Sequence, residues 1–274
     1  MRSRVSITID KDILKKLDSS IDGIRVRSRS GAIELILKEK FPEKSVAVIL
    51  AGGDSEKLRL GNTYRPLVNI GGKTLIEDII EKVKKIDFSS ILIIGRPMIL
   101  SEIFKKIGDG KNLGVDIKYI EEEKTLGSAK TLELAKEFVN STFLFLPCDH
   151  YFDFNLEKML RFHKTQNDVA TLAIYSRTDF EWNTSIVQVD GHKIVDYEEY
   201  PKKIKSHLRG MMVCFAEPNI FNYIPPGNIF CSLQEDVFQS LVRGRKMTAF
   251  MVSGDWVNVH TEKDVSIIRR LMKQ

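Results

Sequence analysis

The run Val46-Ala47-Val48-Ile49-Leu50-Ala51-Gly52-Gly53 constrains this chain most. Six apolar residues without a polar interruption read as a strand covered on both faces, the pattern of parallel sheets under helices. The glycines that end it leave a backbone able to turn sharply and to approach a ligand closely. The same grammar recurs downstream. Helical Leu75–Ile86 follows the first run, and Ser90–Ile94 precedes helical Leu100–Ile107. Val115–Ile120 precedes Ser128–Phe138, and Thr142–Leu146 precedes Leu156–His163. This alternation predicts an α/β domain over 45–274, with helices on both faces of a sheet. Val169–Tyr175, Thr184–Val189 and His192–Tyr197 read as strands, the last two joined by an Asp190-Gly191 hairpin turn.

Residues 1–44 read differently. They hold 11 Lys/Arg and 7 Asp/Glu, so most of the chain's net charge of +5 sits there, which directs attention to an anionic partner. Arg4-Val5-Ser6-Ile7-Thr8-Ile9 alternates strictly, as a strand with one apolar face does. Asp10 suits a helix N-cap, with Ile13, Leu14 and Leu17 at helical spacing, and Gly23 suits the helix end. Ser28-Arg29-Ser30 precedes a second helical pattern through Ile33 and Leu37, which closes near Phe41-Pro42. One short strand and two helices cannot bury a core alone. The segment resembles the ribbon-helix-helix family of DNA-binding dimers. That resemblance implies a homodimer or higher assembly on double-stranded DNA. Arg4, Ser6 and Thr8 would then face base edges, with the backbone N–H groups of Ser28, Arg29 and Ser30 at a phosphate. A purely dimerising role is the plainer alternative.

Five segments of the larger region carry a second resemblance. Val48–Gly53, Arg65–Ile76, Leu126–Leu132, Phe143–Asp149 and Gly254–Asp264 resemble, in order, the segments of the sugar-phosphate nucleotidyltransferases, which join a nucleoside triphosphate to a sugar 1-phosphate. The resemblance implies a Rossmann-like mixed, mostly parallel sheet. It implies that Leu50, Ala51, Gly52, Gly53, Gly127 and Ser128 bind the nucleotide and that Glu199 meets the sugar. Lys57 and Arg65 would act as catalytic cations on the phosphates. Asp149, with Asn258, would hold Mg²⁺. Such a reaction runs mainly on positioning and on cationic stabilisation of phosphate oxygens.

Four positions depart from that family's pattern. Ser55 stands where a third loop glycine is expected, beside the negative charge of Glu56. Arg65 replaces a lysine, a planar fork in place of a point charge. Asn258 replaces a second metal aspartate, supplying an oxygen but no charge. His260 stands at a glycine position. Two functions follow. The first is a DNA-binding regulator whose large domain binds a nucleotide or nucleotide-sugar with weakened or lost catalysis. The alternative is an active Mg²⁺-dependent sugar 1-phosphate nucleotidyltransferase dimerised by the first segment. Cys148-Asp149-His150 is a poor transition-metal site, because adjacent residues at a strand end point to alternate sides. No apolar run approaches the ~20 residues of a membrane span. Three scattered cysteines and the lack of a signal-peptide core in the first residues point to the cytoplasm.

Overall fold

The computed structural model describes residues 6–23, 26–40, 45–177 and 185–273. By its contacts the chain divides into two compact units, Met1–Lys44 and Ser45–Gln274.

The first unit contains α1 (Lys11–Ser19) and α2 (Arg29–Lys40). Asp10 caps α1 by accepting the N–H groups of Asp12 and Ile13 at 2.8 and 3.4 Å. Gly23 lies beyond the helix end, which comes already at Ser19–Ser20. Leu17 and Ala32 are buried, whereas Ile7, Ile13, Leu35, Ile36 and Leu37 are half exposed or more. Arg4 and Val5 lie outside the described residues. Ser6 to Asp10 form no strand, against the expected Arg4–Ile9 run: among the described residues no strand lies beside them to pair their N–H and C=O groups. At the start of α2, two side chains bond within the unit. Arg29 donates to both carboxylate oxygens of Asp18, at 2.6 and 2.8 Å. The Ser28 hydroxyl accepts the N–H of Gly31 at 3.1 Å, an ordinary helix cap.

The second unit opens with β1 (Val46–Ala51), a small ribbon of β2 (Arg59–Leu60) and β3 (Thr63–Tyr64), and α3 (Leu75–Lys84). It continues through β4 (Ser90–Gly95), α4 (Pro97–Ile107), β5 (Asp116–Glu121), α5 (Ser128–Glu133), β6 (Phe143–Pro147), β7 (His150–Phe152) and α6 (Leu156–Gln166). Its later half is β8 (Ala170–Ser176), β9 (Ser185–Asp190), β10 (Lys193–Glu199), β11 (Leu208–Ala216), α7 (Gln239–Arg243), β12 (Met247–Met251), β13 (Trp256–Asn258) and α8 (Glu262–Leu271). Nine strands form one sheet in the order β5-β4-β1-β6-β11-β8-β12-β10-β9.

The sheet is mixed and mostly parallel, as the sequence predicts: β11 and β10 run against the other seven strands. β5, β4, β1 and β6 run parallel, as do β8 and β12, while β11 opposes both β6 and β8, and β10 opposes β12 and β9. The parallel part is the stretch with helical crossovers. After α6 the chain returns through shorter links, including the expected turn at Asp190-Gly191, and antiparallel pairing follows.

Period-two alternation divides the core into two layers. Ala47, Ile49 and Ala51 of β1 pack on one face with α3 and α4; Val46, Val48 and Leu50 pack on the other with α5 and α7. The crossovers after β1 and β4 therefore lie on one face, and the crossover after β5 lies on the other. Strand order reverses at β1, with β4 on one side and β6 on the other. In an open α/β sheet that reversal leaves a crevice at the carboxyl ends of the strands.

Candidate active site

A cavity of about 1080 Å³ occupies this crevice. β1 delivers Leu50, Gly52 and Gly53 to its wall, and the start of α5 delivers Gly127 and Ser128. Asp149 enters from the end of β6, Glu199 from the end of β10 and Asn258 from β13. Eight of the residues singled out by sequence thus meet in one cavity. Ala51 does not: it is buried in the sheet, and its side chain packs into the core. Lys57 stands exposed on a short 3₁₀ turn over Ser55–Leu58, outside the cavity lining. Arg65 reaches the cavity through Asp149 alone.

On the β1 side the groups are satisfied. Glu122, buried, accepts the Gly53 N–H at 2.6 Å through one oxygen and the Thr131 hydroxyl at 2.5 Å through the other. The Gly53 amide, expected from sequence to face a nucleotide, is thereby engaged. A Cβ on Gly52 would lie 2.5 Å from Thr131 Cγ2 and 2.9 Å from Glu122 Oε2, so only glycine fits that turn. Gly127 has φ of +93° and its α-carbon abuts the Cys231 backbone, so it too has no room for a side chain. Arg96 donates to the carbonyls of Glu122 and Glu123, which fixes the segment before Gly127. Nothing in the motif-based reading pointed to Glu122. Its one signal is that the alternation of β5 continues past Ile120, so that Glu122 turns inward between exposed Glu121 and Glu123.

The β6 side is less complete. Arg65 Nη1 donates to Asp149 Oδ2 at 3.1 Å, and its Nε–H is buried with no acceptor among the described residues. β13 pairs with β7 so that Asn258 lies opposite His150, and the Val259 N–H donates to the Asp149 carbonyl at 3.0 Å. Asn258 Oδ1 is buried with no donor. His150 donates from Nδ1 to the Met211 carbonyl at 3.0 Å, and its ring meets Trp256 edge-on. Burial holds the His150 pKa below its ordinary value, against the pull of the Asp149 carboxylate. Met212, with φ of +57°, sits in a bulge where β11 slips register against β8.

Glu199 lies between the two sides. Burial pushes its carboxyl up to about 7, and the Glu235 charge adds to the rise, while the Tyr197 hydroxyl donating at 3.0 Å opposes it. Glu56, feared as a negative charge among phosphates, is paired with Arg59 at 3.1 Å.

Asp149 and Asn258 suit a hard cation. One carboxylate and one orphaned amide oxygen are a small protein contribution, and Mg²⁺ commonly takes one or two protein oxygens and fills its shell with water and substrate phosphate. Among the described residues no group of three or more His, Cys, Asp or Glu could form a metal site without such help. Cys148, Cys214 and Cys231 are all buried and free, and Cys148 packs into the core.

Residues 46–268 match the model of the nucleotidyl transferase family. The chain belongs to that family. A mannose-1-phosphate guanylyltransferase catalytic subunit beta from Dictyostelium discoideum is 25% identical over 225 residues, 80% of this chain and 62% of that protein. The bifunctional protein GlmU from Methanocaldococcus jannaschii is 26% identical over 224 residues, 80% of this chain and 52% of that protein. The chain therefore spans a little over half the length of these curated relatives. A Bacillus anthracis protein assigned as a glucose-1-phosphate thymidylyltransferase shares the fold with a TM-score of 0.76 at 22% identity, over 84% of this chain and 96% of that one. The Dictyostelium discoideum relative is named as a transferase, which favours the enzyme alternative over a regulator with lost catalysis. The family match begins at Val46 and does not bear on the ribbon-helix-helix reading. Among the described residues no helix is long and apolar enough to cross a membrane.

Proposed function

We propose that this chain is an active sugar 1-phosphate nucleotidyltransferase. A phosphate oxygen of the sugar 1-phosphate attacks the α-phosphorus of a nucleoside triphosphate. The bond from that phosphorus to the bridging oxygen breaks, and pyrophosphate leaves with the electron pair. The observation that carries this reading is the meeting of the Gly52-Gly53 turn, Gly127-Ser128, Glu199 and the Asp149/Asn258 oxygens in one cavity at the strand reversal.

In this reading the β1 side receives the nucleoside, and Gly127 and Ser128 border the base. The carboxylate side receives the phosphates, where Arg65 supplies a fork that matches phosphate oxygens. Lys57, on its exposed turn, would have to approach the leaving phosphates from outside the cavity. Asp149 and Asn258 would hold Mg²⁺, which spreads the charge that grows on phosphate oxygens. Glu199, close to half-protonated at neutral pH, can accept from or donate to a sugar hydroxyl. The test is pyrophosphate release from a panel of nucleoside triphosphates and sugar 1-phosphates with Mg²⁺. GTP with mannose 1-phosphate heads the panel because of the relatives' names. Turnover with at least one pair is expected; nucleotide binding without turnover on any pair removes the catalytic claim.

For residues 1–44 we propose homodimerisation, and through it DNA binding. The support is the number of half-exposed large apolar side chains in so short a segment: Ile7, Ile13, Leu35, Ile36 and Leu37. Ile36→Glu should shift the full chain toward monomer in light scattering. Arg4→Ala should remove sequence preference in mobility shifts at low salt, and no shift on any genomic fragment ends the DNA half of the reading.

A further inference from the structure

Arg65 and Asp149 form a nearly buried ion pair, with side chains 15% and 11% exposed. The pair is poorly completed. Arg65 makes one bond to the carboxylate at 3.1 Å, and its Nε–H has no acceptor. The other carboxylate oxygen, Asp149 Oδ1, lies 4.0 Å from His150 Nε2, too far for a hydrogen bond. Asn258 lines the same cavity as Asp149, and its Oδ1 is buried without a donor among the described residues. A buried guanidinium with an unmet N–H gains by exchanging one carboxylate contact for a bidentate phosphate. A dication gains by replacing the guanidinium at Asp149 and by filling the empty position at Asn258. It cannot do so while Arg65 remains, because the two cations would repel strongly at this burial.

We propose that Arg65 is the resident counterion of Asp149 and makes binding ordered: nucleotide phosphates draw the guanidinium away first, and only then does a divalent cation seat on Asp149 and Asn258. The departure from lysine at this position then has a physical sense. A planar fork can cap a carboxylate and afterwards clamp a phosphate, where a compact ammonium is more easily shared with water. This inference rests on the nucleotidyltransferase reading of the same cavity.

The test is Mn²⁺ binding to the full chain without nucleotide, read by the free Mn²⁺ signal in electron paramagnetic resonance. Arg65→Gln should bind Mn²⁺ roughly tenfold more tightly than wild type, since one buried positive charge is removed from the ligand carboxylate. Adding Asp149→Asn to that variant should abolish the gain. If Arg65→Gln does not fold, the wild-type background still decides. Asp149→Asn alone should leave nucleotide-free Mn²⁺ binding unchanged, because Asp149 is not available to the metal there. A loss of Mn²⁺ binding on Asp149→Asn alone overturns the inference, as does equal affinity in wild type and Arg65→Gln. Equilibrium dialysis of GTP, dTTP and UTP in EDTA separates this from the underlying function. Binding without metal is expected. Binding of none of them, with or without Mg²⁺, overturns both the inference and the function it rests on. Binding only when Mg²⁺ is present overturns the order of addition alone.

Discussion

The two sides of the cavity differ in how fully their polar groups are satisfied. On the β1 side Glu122 holds Gly53 and Thr131 together, and Gly52 fits against both. On the β6 side Arg65 Nε and Asn258 Oδ1 are buried without partners among the described residues. Buried polar groups are normally paired, so an orphan in a cavity wall marks a place where something else completes the bond. The completed side is scaffold, and a change there misplaces a wall. In the proposed function the incomplete side receives phosphate and cation, so a change there should alter affinity more than shape.

The largest expected effect is at Gly52. Gly52→Ala must push Thr131 or Glu122 aside, and overpacking of this kind costs about 1–3 kcal/mol in a urea melt. The displaced turn should lower turnover on the productive substrate pair roughly a hundredfold, the cost of a misplaced binding wall. A variant with wild-type turnover would mean that the β1 side is not rigid, and the contrast between the two sides would fail. Asn258→Asp comes second and acts in the opposite sense. It adds a carboxylate to the cation position with little change in shape, and roughly tenfold tighter Mn²⁺ binding in the presence of nucleotide is expected. Unchanged Mn²⁺ affinity would place the cation elsewhere.

This contrast was only half legible in the sequence. β1, the Gly52-Gly53 turn and the Asp149 strand end declare themselves, because unbroken apolar runs that end in glycine or aspartate have few other readings. The satisfied partners do not. Glu122 sits in Glu121-Glu122-Glu123, which reads as a solvated charge run, and only the backbone phase decides which carboxylate turns inward. β11 was missed for a similar reason. Arg209 is fully buried where a polar residue should face out, and Met211–Ala216 is apolar throughout, so no outward polar position marks the period of two. The orphaned atoms at Arg65 and Asn258 follow from how β7, β13 and the 3₁₀ turn at Arg65 converge, which no local pattern specifies. Residues 1–44 are the converse. Their apolar spacing is plain, but the strand it predicts does not form over the described Ser6–Asp10.

Glu199 gives a prediction in pH. Its folded pKa of about 7 lies above the ordinary 4.5, so between those values the folded chain binds more protons than the unfolded chain. This group's contribution to stability is therefore full below pH 4.5, declines as pH rises and is gone above 7. Glu199→Gln removes the decline. Relative to wild type, the variant should gain stability as pH rises from 5 to 7, by roughly 1–3 kcal/mol in all, and then run parallel above 7. Urea melts across pH 5–8 read this directly. A difference that stays flat over the range would mean that the carboxyl is solvated and ionised throughout.

The smallest effect belongs to Glu122→Gln, and it distinguishes shape from charge on the completed side. A glutamine keeps the volume. Its oxygen can accept the Gly53 N–H, and its amide can donate to the Thr131 hydroxyl, which then turns its own proton toward the Gly127 carbonyl, 3.4 Å away. What is lost is one charge from two hydrogen bonds, a cost of about 1 kcal/mol. Turnover should fall no more than a few fold if Glu122 only holds the wall in place. Glu122→Ala removes both bonds and leaves the Gly53 amide and Thr131 hydroxyl without their partner, so it should approach the Gly52→Ala phenotype. If the glutamine variant is instead as damaged as the alanine variant, the negative charge itself acts on the bound nucleotide, and the β1 side is then chemistry as well as scaffold.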